Sequence, residues 1–262
     1  MSVPQLAATR WSAPDPSRPT LLLGPSLGGT AAALWHRAVP HWEKDFTLVG
    51  WDLPGHGESP AAGADFSLAE LATAVARLAE EHATGDVRYA GVSIGGAVGI
   101  QLGIDHPERF SALTIICSAA QIGTPEAWHE RAALVREEGT AALEAGSRQR
   151  WFTRRFLAEH PEHAEAVLGS LRATDPGSYA FACEALAGFD QRAQLGRITA
   201  PLLAVAGEHD PVCSPADAEA LARGAATGRA VVVPGVSHLA PLEAPEAVAS
   251  LVRDHGRPAA RR

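Results

Sequence analysis

Short apolar runs bounded by Gly or Pro alternate along the chain with longer segments in which apolar residues recur every three or four positions. The runs at 20–23, 47–51, 87–92, 113–117, 202–206 and 230–233 are rich in Val, Leu and Ile and do not alternate with polar residues. Such runs predict parallel strands covered on both faces. Between them, 67–81 places Leu68, Leu71, Val75 and Leu78 on one stripe, the pattern of a helix laid on a sheet. The same reading predicts helices over 94–105, 215–223 and 245–253. The β-α-β-α alternation predicts an α/β fold, a mostly parallel sheet flanked by helices.

The rhythm breaks between Ser118 and Thr199, where helical segments follow one another and no strand is expected. Thr124-Pro125-Glu126 and Pro161-Glu162 are helix starts, with Pro in the first turn. We therefore expect a core of residues 1–118 and 199–262 and a helical cap, 119–198, inserted before the last two strands. The tail, 258–262, is expected to fray, its two terminal Arg solvated.

Composition narrows the chemistry. A chain of 262 residues suits one domain with an insertion. It carries 22 Lys+Arg against 30 Asp+Glu, a formal charge of −8, and its basic residues are all Arg except Lys44. Lys44 sits in a polar stretch, so a Lys-dependent phosphate loop and Schiff-base chemistry are both excluded. The acidic balance speaks against nucleic acid as a partner. The 52 Ala inflate the apolar fraction and read as helix-formers more than core-fillers. Cys117, Cys183 and Cys213 give neither a disulfide framework nor a CxxC metal spacing. The N-terminus lacks the pattern of a signal peptide, and the longest apolar stretch, near 113–120, is too short to span a membrane. A cytoplasmic protein with no membrane partner is expected.

The sharpest chemical signal is Gly91-Val92-Ser93-Ile94-Gly95, between a predicted strand and a predicted helix. A Ser there occupies a tight turn, and Gly two positions before and after removes side chains that would collide across it. A hydroxyl needs a base to become a nucleophile. His238, in a loop after the last strand, is the best placed of eleven histidines. His56, in Asp52-Leu53-Pro54-Gly55-His56-Gly57-Glu58-Ser59, reads as a structural turn residue, and His160 and His163 as solvated helix residues rather than a metal pair. Asp210, in the loop after 202–206, suits the acid that orients the base, with Glu208 a weaker rival. The order Ser93, Asp210, His238 is that of α/β-hydrolases. An oxyanion hole would take the backbone N–H of Ile94 and one from Gly24-Pro25-Ser26-Leu27-Gly28-Gly29, with Leu27 the candidate. No metal or organic cofactor is required.

On these residues the sequence resembles the α/β-hydrolase superfamily and, within it, the 3-oxoadipate enol-lactonase family. The closer resemblance rests on Ile122-Gly123-Thr124-Pro125-Glu126-Ala127-Trp128, Arg150-Trp151-Phe152-Thr153, Cys183-Glu184-Ala185-Leu186 with Phe189-Asp190, and Pro25-Ser26 where many superfamily members have His-Gly. It implies a small anionic lactone substrate, opened in aromatic-compound degradation. A carboxylate on that substrate needs positive groups. The run Arg148 to Arg155 holds four Arg and no acid, and Arg131 follows Trp128 by three residues. Arg131, Arg150, Trp128 and Trp151 are therefore candidate substrate contacts, although Arg in such runs also suits a solvated face and Trp a core. Two rivals stand beside this reading: a carboxylesterase or carbon–carbon hydrolase on the same fold, and a ligand-binding protein that keeps the fold without turnover.

Overall fold

The structure, a computed structural model, describes residues 2–256; the expected fraying of 258–262 lies outside the described residues. The elements run, in chain order, β1 (Ala8–Arg10), β2 (Thr20–Gly24), α1 (Ala31–Trp35), β3 (Thr47–Trp51), α2 (Leu68–His82), β4 (Val87–Val92), α3 (Ile94–Asp105) and β5 (Ala112–Ile116). Five helices follow: α4 (Pro125–Glu138), α5 (Glu144–Trp151), α6 (Arg154–Glu159), α7 (Pro161–Ala173) and α8 (Pro176–Ala187). The chain then returns with β6 (Leu202–Gly207), α9 (Pro215–Gly224), β7 (Gly228–Val233), α10 (Ala240–Glu243) and α11 (Pro245–Asp254).

The seven strands form one sheet in the order β1-β3-β2-β4-β5-β6-β7. All neighbours are parallel except β1, which pairs antiparallel with β3 through Ala8↔Trp51, Thr9↔Gly50 and Arg10↔Val49. The six expected strands are all present and β1 is an addition, but β7 is not covered on both faces: it is the sheet edge beyond β6, and only Val233 in it is buried. Ala8-Thr9-Arg10 is a three-residue edge with no fully buried position, so it carries no apolar run to announce it. In contrast, every residue of β2, β3, β5 and β6 is buried. The helices begin where side chains satisfy their first N–H groups: Ser67 and Glu70 form a reciprocal cap on α2, as Ser214 and Asp217 do on α9, and Thr124 caps α4. Between β5 and β6 there is no strand among the described residues. Helix α4 packs beside α8, and α7 reaches down to α1. Many Ala do more than favour helices: Ala72, Ala97, Ala164, Ala180 and Ala249 are core residues where a larger side chain would hold two layers apart. Among the described residues, no helix is long and apolar enough to cross a membrane.

Because β2, β4, β6 and β7 are parallel, their following loops open at one edge of the sheet, where ligands of such folds sit. Helix α3 lies unusually close to that sheet. A Cβ on Gly99 would stand 2.7 Å from both Ile115 Cδ1 and Tyr89 Cε1, and one on Gly103 would stand 2.6 Å from Leu113 Cδ1. Replacing Gly99 by Val should therefore cost about 1–3 kcal/mol by overpacking. Gly63→Ala, at a site with nothing within 4 Å of the new atom, should stay within about 0.5 kcal/mol. Urea unfolding midpoints read both.

Candidate active site

Ser93 joins β4 to α3 with φ 57° and ψ −119°, a conformation that an L-residue adopts at a cost. Three hydrogen bonds hold it there. Ser93 N donates to Ile116 O at 3.0 Å, Gly95 N to Pro25 O at 3.0 Å, and Ser118 Oγ to the Ser93 carbonyl at 2.7 Å. The flanking glycines are steric necessities: a Cβ on Gly91 would strike the Gly95 carbonyl, and one on Gly95 would lie 2.5 Å from Pro25 O. The Gly95 bond also ties the serine turn to the loop after β2, which carries Leu27. Among the described residues, the N–H groups of Leu27 and Ile94 have no protein acceptor. Both remain available to a ligand oxygen.

His238 and Asp210 meet across the loops that follow β7 and β6. His238 Nδ1 lies 2.9 Å from Asp210 Oδ2, and both side chains are buried. The other Asp210 oxygen accepts from Val212 N at 2.8 Å and Cys213 N at 3.1 Å, which fixes the carboxylate plane. A carboxylate only accepts, so Nδ1 carries the proton facing Asp210. The rival acid, Glu208, is half exposed and accepts instead from Gly235 N at 2.8 Å.

A cavity of about 220 Å³ is lined by Ser93, His238 and Leu27 together with Trp128, Arg131, Arg150 and Trp151. The four candidate substrate contacts, two from α4 and two from α5, thus share one cavity with the nucleophile and base candidates. Asp210 and Ile94 stand behind its wall. The volume is below the ~300–1,000 Å³ of drug-sized sites and suits a small ligand.

A family model described as the alpha/beta hydrolase fold matches residues 19–245. The chain belongs to the α/β-hydrolase fold family. This hydrolase is 34% identical to 3-oxoadipate enol-lactonase 2 of Acinetobacter baylyi over 88% of its own length and 85% of the relative's. It is 32% identical to a pimeloyl-[acyl-carrier protein] methyl ester esterase of Aeromonas hydrophila, over 80% and 85%. Among solved structures, the enol-lactonase of Burkholderia xenovorans LB400 superposes with a TM-score of 0.89 at 29% identity, covering 95% of each chain.

The arginines of this hydrolase divide sharply. Arg148 pairs with Glu144 and Glu165, and Arg155 with Glu159, all at the surface. Among the described residues, Arg131 and Arg150 have no carboxylate partner. The Arg131 guanidinium instead lies 4.8 Å above the Trp128 ring. Burial, and then the charge of Arg131, lower the pKa of Arg150. Two cations facing one small cavity without an acid are an electrostatic demand for an anion. Tyr179 also lines the cavity, and sequence reading missed it. Burial pushes its phenol up, opposed by Arg131 and Arg150. It is one of only two tyrosines in the chain, and it lies four residues before Cys183, on the same helical face as a stretch already marked as distinctive. His160 and His163 come together with the Glu162 carboxylate, their ligand atoms within 4.8 Å of one another, and His163 Nδ1 also meets His36 Nε2 at 2.9 Å. These histidines are therefore engaged with neighbours rather than merely solvated.

His56 is a structural residue. Its Nδ1 donates to Pro54 O at 2.9 Å, and its Nε2 accepts from Gly28 N at 3.1 Å in the oxyanion-loop candidate. Full burial holds its pKa down at about 4, with the Pro54 carbonyl and Asp175 pulling weakly the other way. The unfolded imidazole, titrating near 6.5, binds a proton that the folded one refuses between pH 6.5 and 4. Stability should therefore be intact above 6.5 and fall through that window, by on the order of 3 kcal/mol. Denaturant midpoints between pH 7 and 4.5 should fall less steeply in His56→Gln than in the parent.

Proposed function

We propose that this hydrolase opens 3-oxoadipate enol-lactone, or a small lactone very like it, with Ser93 as nucleophile, His238 as base and Asp210 as its orienting acid. One observation carries the reading: a small cavity presents Ser93 and His238 alongside two arginines that lack a carboxylate. The substrate class of the enol-lactonase relatives supports it. In this reading residues 1–118 and 199–262 are the catalytic core and 119–198 the cap that supplies Trp128, Arg131, Arg150 and Trp151. The three free, buried thiols suit a reducing cytoplasm.

Ser93 Oγ attacks the lactone carbonyl while its proton passes to His238 Nε2. The oxygen that gains charge is held by the Leu27 and Ile94 N–H groups. The ring C–O bond then breaks. The departing enol oxygen takes the proton from His238, and the enol tautomerises to the ketone. Water adds to the acyl-Ser93 ester and gives its proton to His238, which returns it to Ser93 Oγ as the carboxylate product leaves. Asp210 holds the Nδ1–H tautomer and stabilises each imidazolium. The substrate's own carboxylate lies between Arg131 and Arg150, where planar guanidinium groups grip both oxygens. No metal or organic cofactor enters these steps.

A simple carboxylesterase is the second reading, favoured by the methyl ester esterase relative. Hydrolysis of the enol-lactone, followed by loss of its ultraviolet absorbance beside p-nitrophenyl acetate, separates them. The lactone should be the better substrate by kcat/KM; the reverse order overturns the proposal. Ser93→Ala should lower lactone turnover by about 10³-fold or more. Arg131→Ala and Arg150→Ala should each raise KM for the lactone by about tenfold, the loss of a charged hydrogen-bond pair. They should leave KM for p-nitrophenyl acetate within about twofold.

A further inference from the structure

The loop that carries His238 is fastened to the cap at three points, all beside the histidine. Ser237 Oγ donates to the Arg150 carbonyl at 3.0 Å. Leu239 N donates to the Trp151 carbonyl at 3.1 Å. The third point is the Glu243 carboxylate at the end of α10. One of its oxygens accepts from both Ser237 N at 3.1 Å and Thr153 N at 3.2 Å; the other accepts from Thr153 Oγ1 at 2.5 Å. One acid thus holds a residue adjacent to His238 and a residue three positions beyond Arg150 in the same grip.

We propose that Glu243 is a positioning residue: it locks the cap segment 150–153 to the His238 loop, so that a substrate carboxylate gripped at Arg150 also sets the base. The inference rests on the carboxylate-bearing substrate proposed above. Its physical content is specific. A carboxylate bound at Arg150 restrains the backbone of 150–153, and that backbone is where Ser237 and Leu239 are anchored. Binding energy collected away from the reacting carbonyl is then expressed as alignment of His238, which raises kcat rather than only lowering KM. Glu243 touches no reacting atom. Its partners are two backbone N–H groups and a hydroxyl, and burial raises the carboxyl's pKa while those donors lower it. No sequence motif marked it, because its role depends on a partner 90 residues away.

The test uses two esters that differ only where the proposal matters: mono-p-nitrophenyl succinate, ending in a carboxylate, and p-nitrophenyl butyrate, ending in a methyl. The parent protein should favour the succinate ester in kcat. Glu243→Gln and Ser237→Ala should each lower kcat for the succinate ester about tenfold. KM for that ester, and kcat for the butyrate ester, should each move less than about twofold. Equal kcat losses on both esters would reduce Glu243 to general support of the fold and overturn the inference; so would a loss confined to KM. A parent protein with no preference for the succinate ester overturns the carboxylate reading and this inference together. A parent preference without the selective kcat loss overturns this inference alone. Should Glu243→Gln fail to give the parent's circular dichroism, Ser237→Ala, which removes one hydroxyl, decides the matter.

Discussion

A single backbone constraint organises this site: Ser93 is held with positive φ at the junction of β4 and α3. The strain costs on the order of 1–3 kcal/mol and persists because its surroundings over-determine it. The bonds that do so belong to different elements. Ser93 N reaches the end of β5, Ser118 Oγ reaches back to the Ser93 carbonyl, and Gly95 N reaches Pro25 in the loop after β2. The last bond matters most for chemistry, since it fixes the serine turn and the Leu27 loop to each other. In the proposed function, nucleophile and oxyanion donors are set by one contact rather than two. His56 braces the same loop from the other side through Gly28 N. The helices between β5 and β6 then pack over it: Gly28, at φ 84°, leaves room for Leu171, Trp151 and Tyr179, which a Cβ would crowd.

The core and the segment between β5 and β6 contribute different things. The core supplies groups whose positions follow from parallel strand ends, so their geometry is stiff. The intervening helices supply the cavity's aromatic walls and its two acid-free arginines. These halves share no strand, and their coupling therefore falls to side chains and loop backbone. Asp210 is a clear example of how the core spends hydrogen bonds. Two amides occupy one carboxylate oxygen, so only the other is left for His238, and the imidazole has one available orientation.

Where physics is local, the sequence was legible. Buried parallel strands must be apolar along their whole length, which exposed β2 to β6 at once; β7 showed the same apolar run although only Val233 in it is buried. The Ser93 turn needs glycine at fixed offsets, so the motif is a steric requirement written in residues. Helix starts at Pro125 and Pro161 follow from proline's missing N–H. The edge strand Ala8–Arg10 was not legible, because three residues paired on one side bury no apolar face. Sorting the arginines was harder again. Arg148 and Arg150 are two residues apart in one helix, yet one pairs with Glu144 and Glu165 and the other turns into the cavity. Within Arg148-Gln149-Arg150 nothing distinguishes them; the difference is made by Glu144, one turn before Arg148 on the same helix, by Glu165 on α7, and by the inward-facing Ser147 and Trp151. Glu243 was harder still, since its hydrogen bonds to Thr153 join residues 90 apart in sequence.

Net charge is the poorest guide of all to this site. At −8 the chain repels an anion at long range. That repulsion is screened within about 8–10 Å in physiological salt, whereas two half-buried guanidinium groups facing a small cavity are screened less. Several surface acids near the cavity are also occupied. Glu144, Glu159, Glu165 and Glu184 each hold an arginine. Those pairs bind acids on or beside the helices that form the cavity, and Arg131 and Arg150 have no carboxylate partner among the described residues. Burial disfavours the charged form of Arg150, and Arg131 disfavours it further. A carboxylate entering the cavity relieves both penalties at once. An acidic exterior and the proposed anion site are therefore compatible, because the site depends on two arginines that have no carboxylate partner among the described residues.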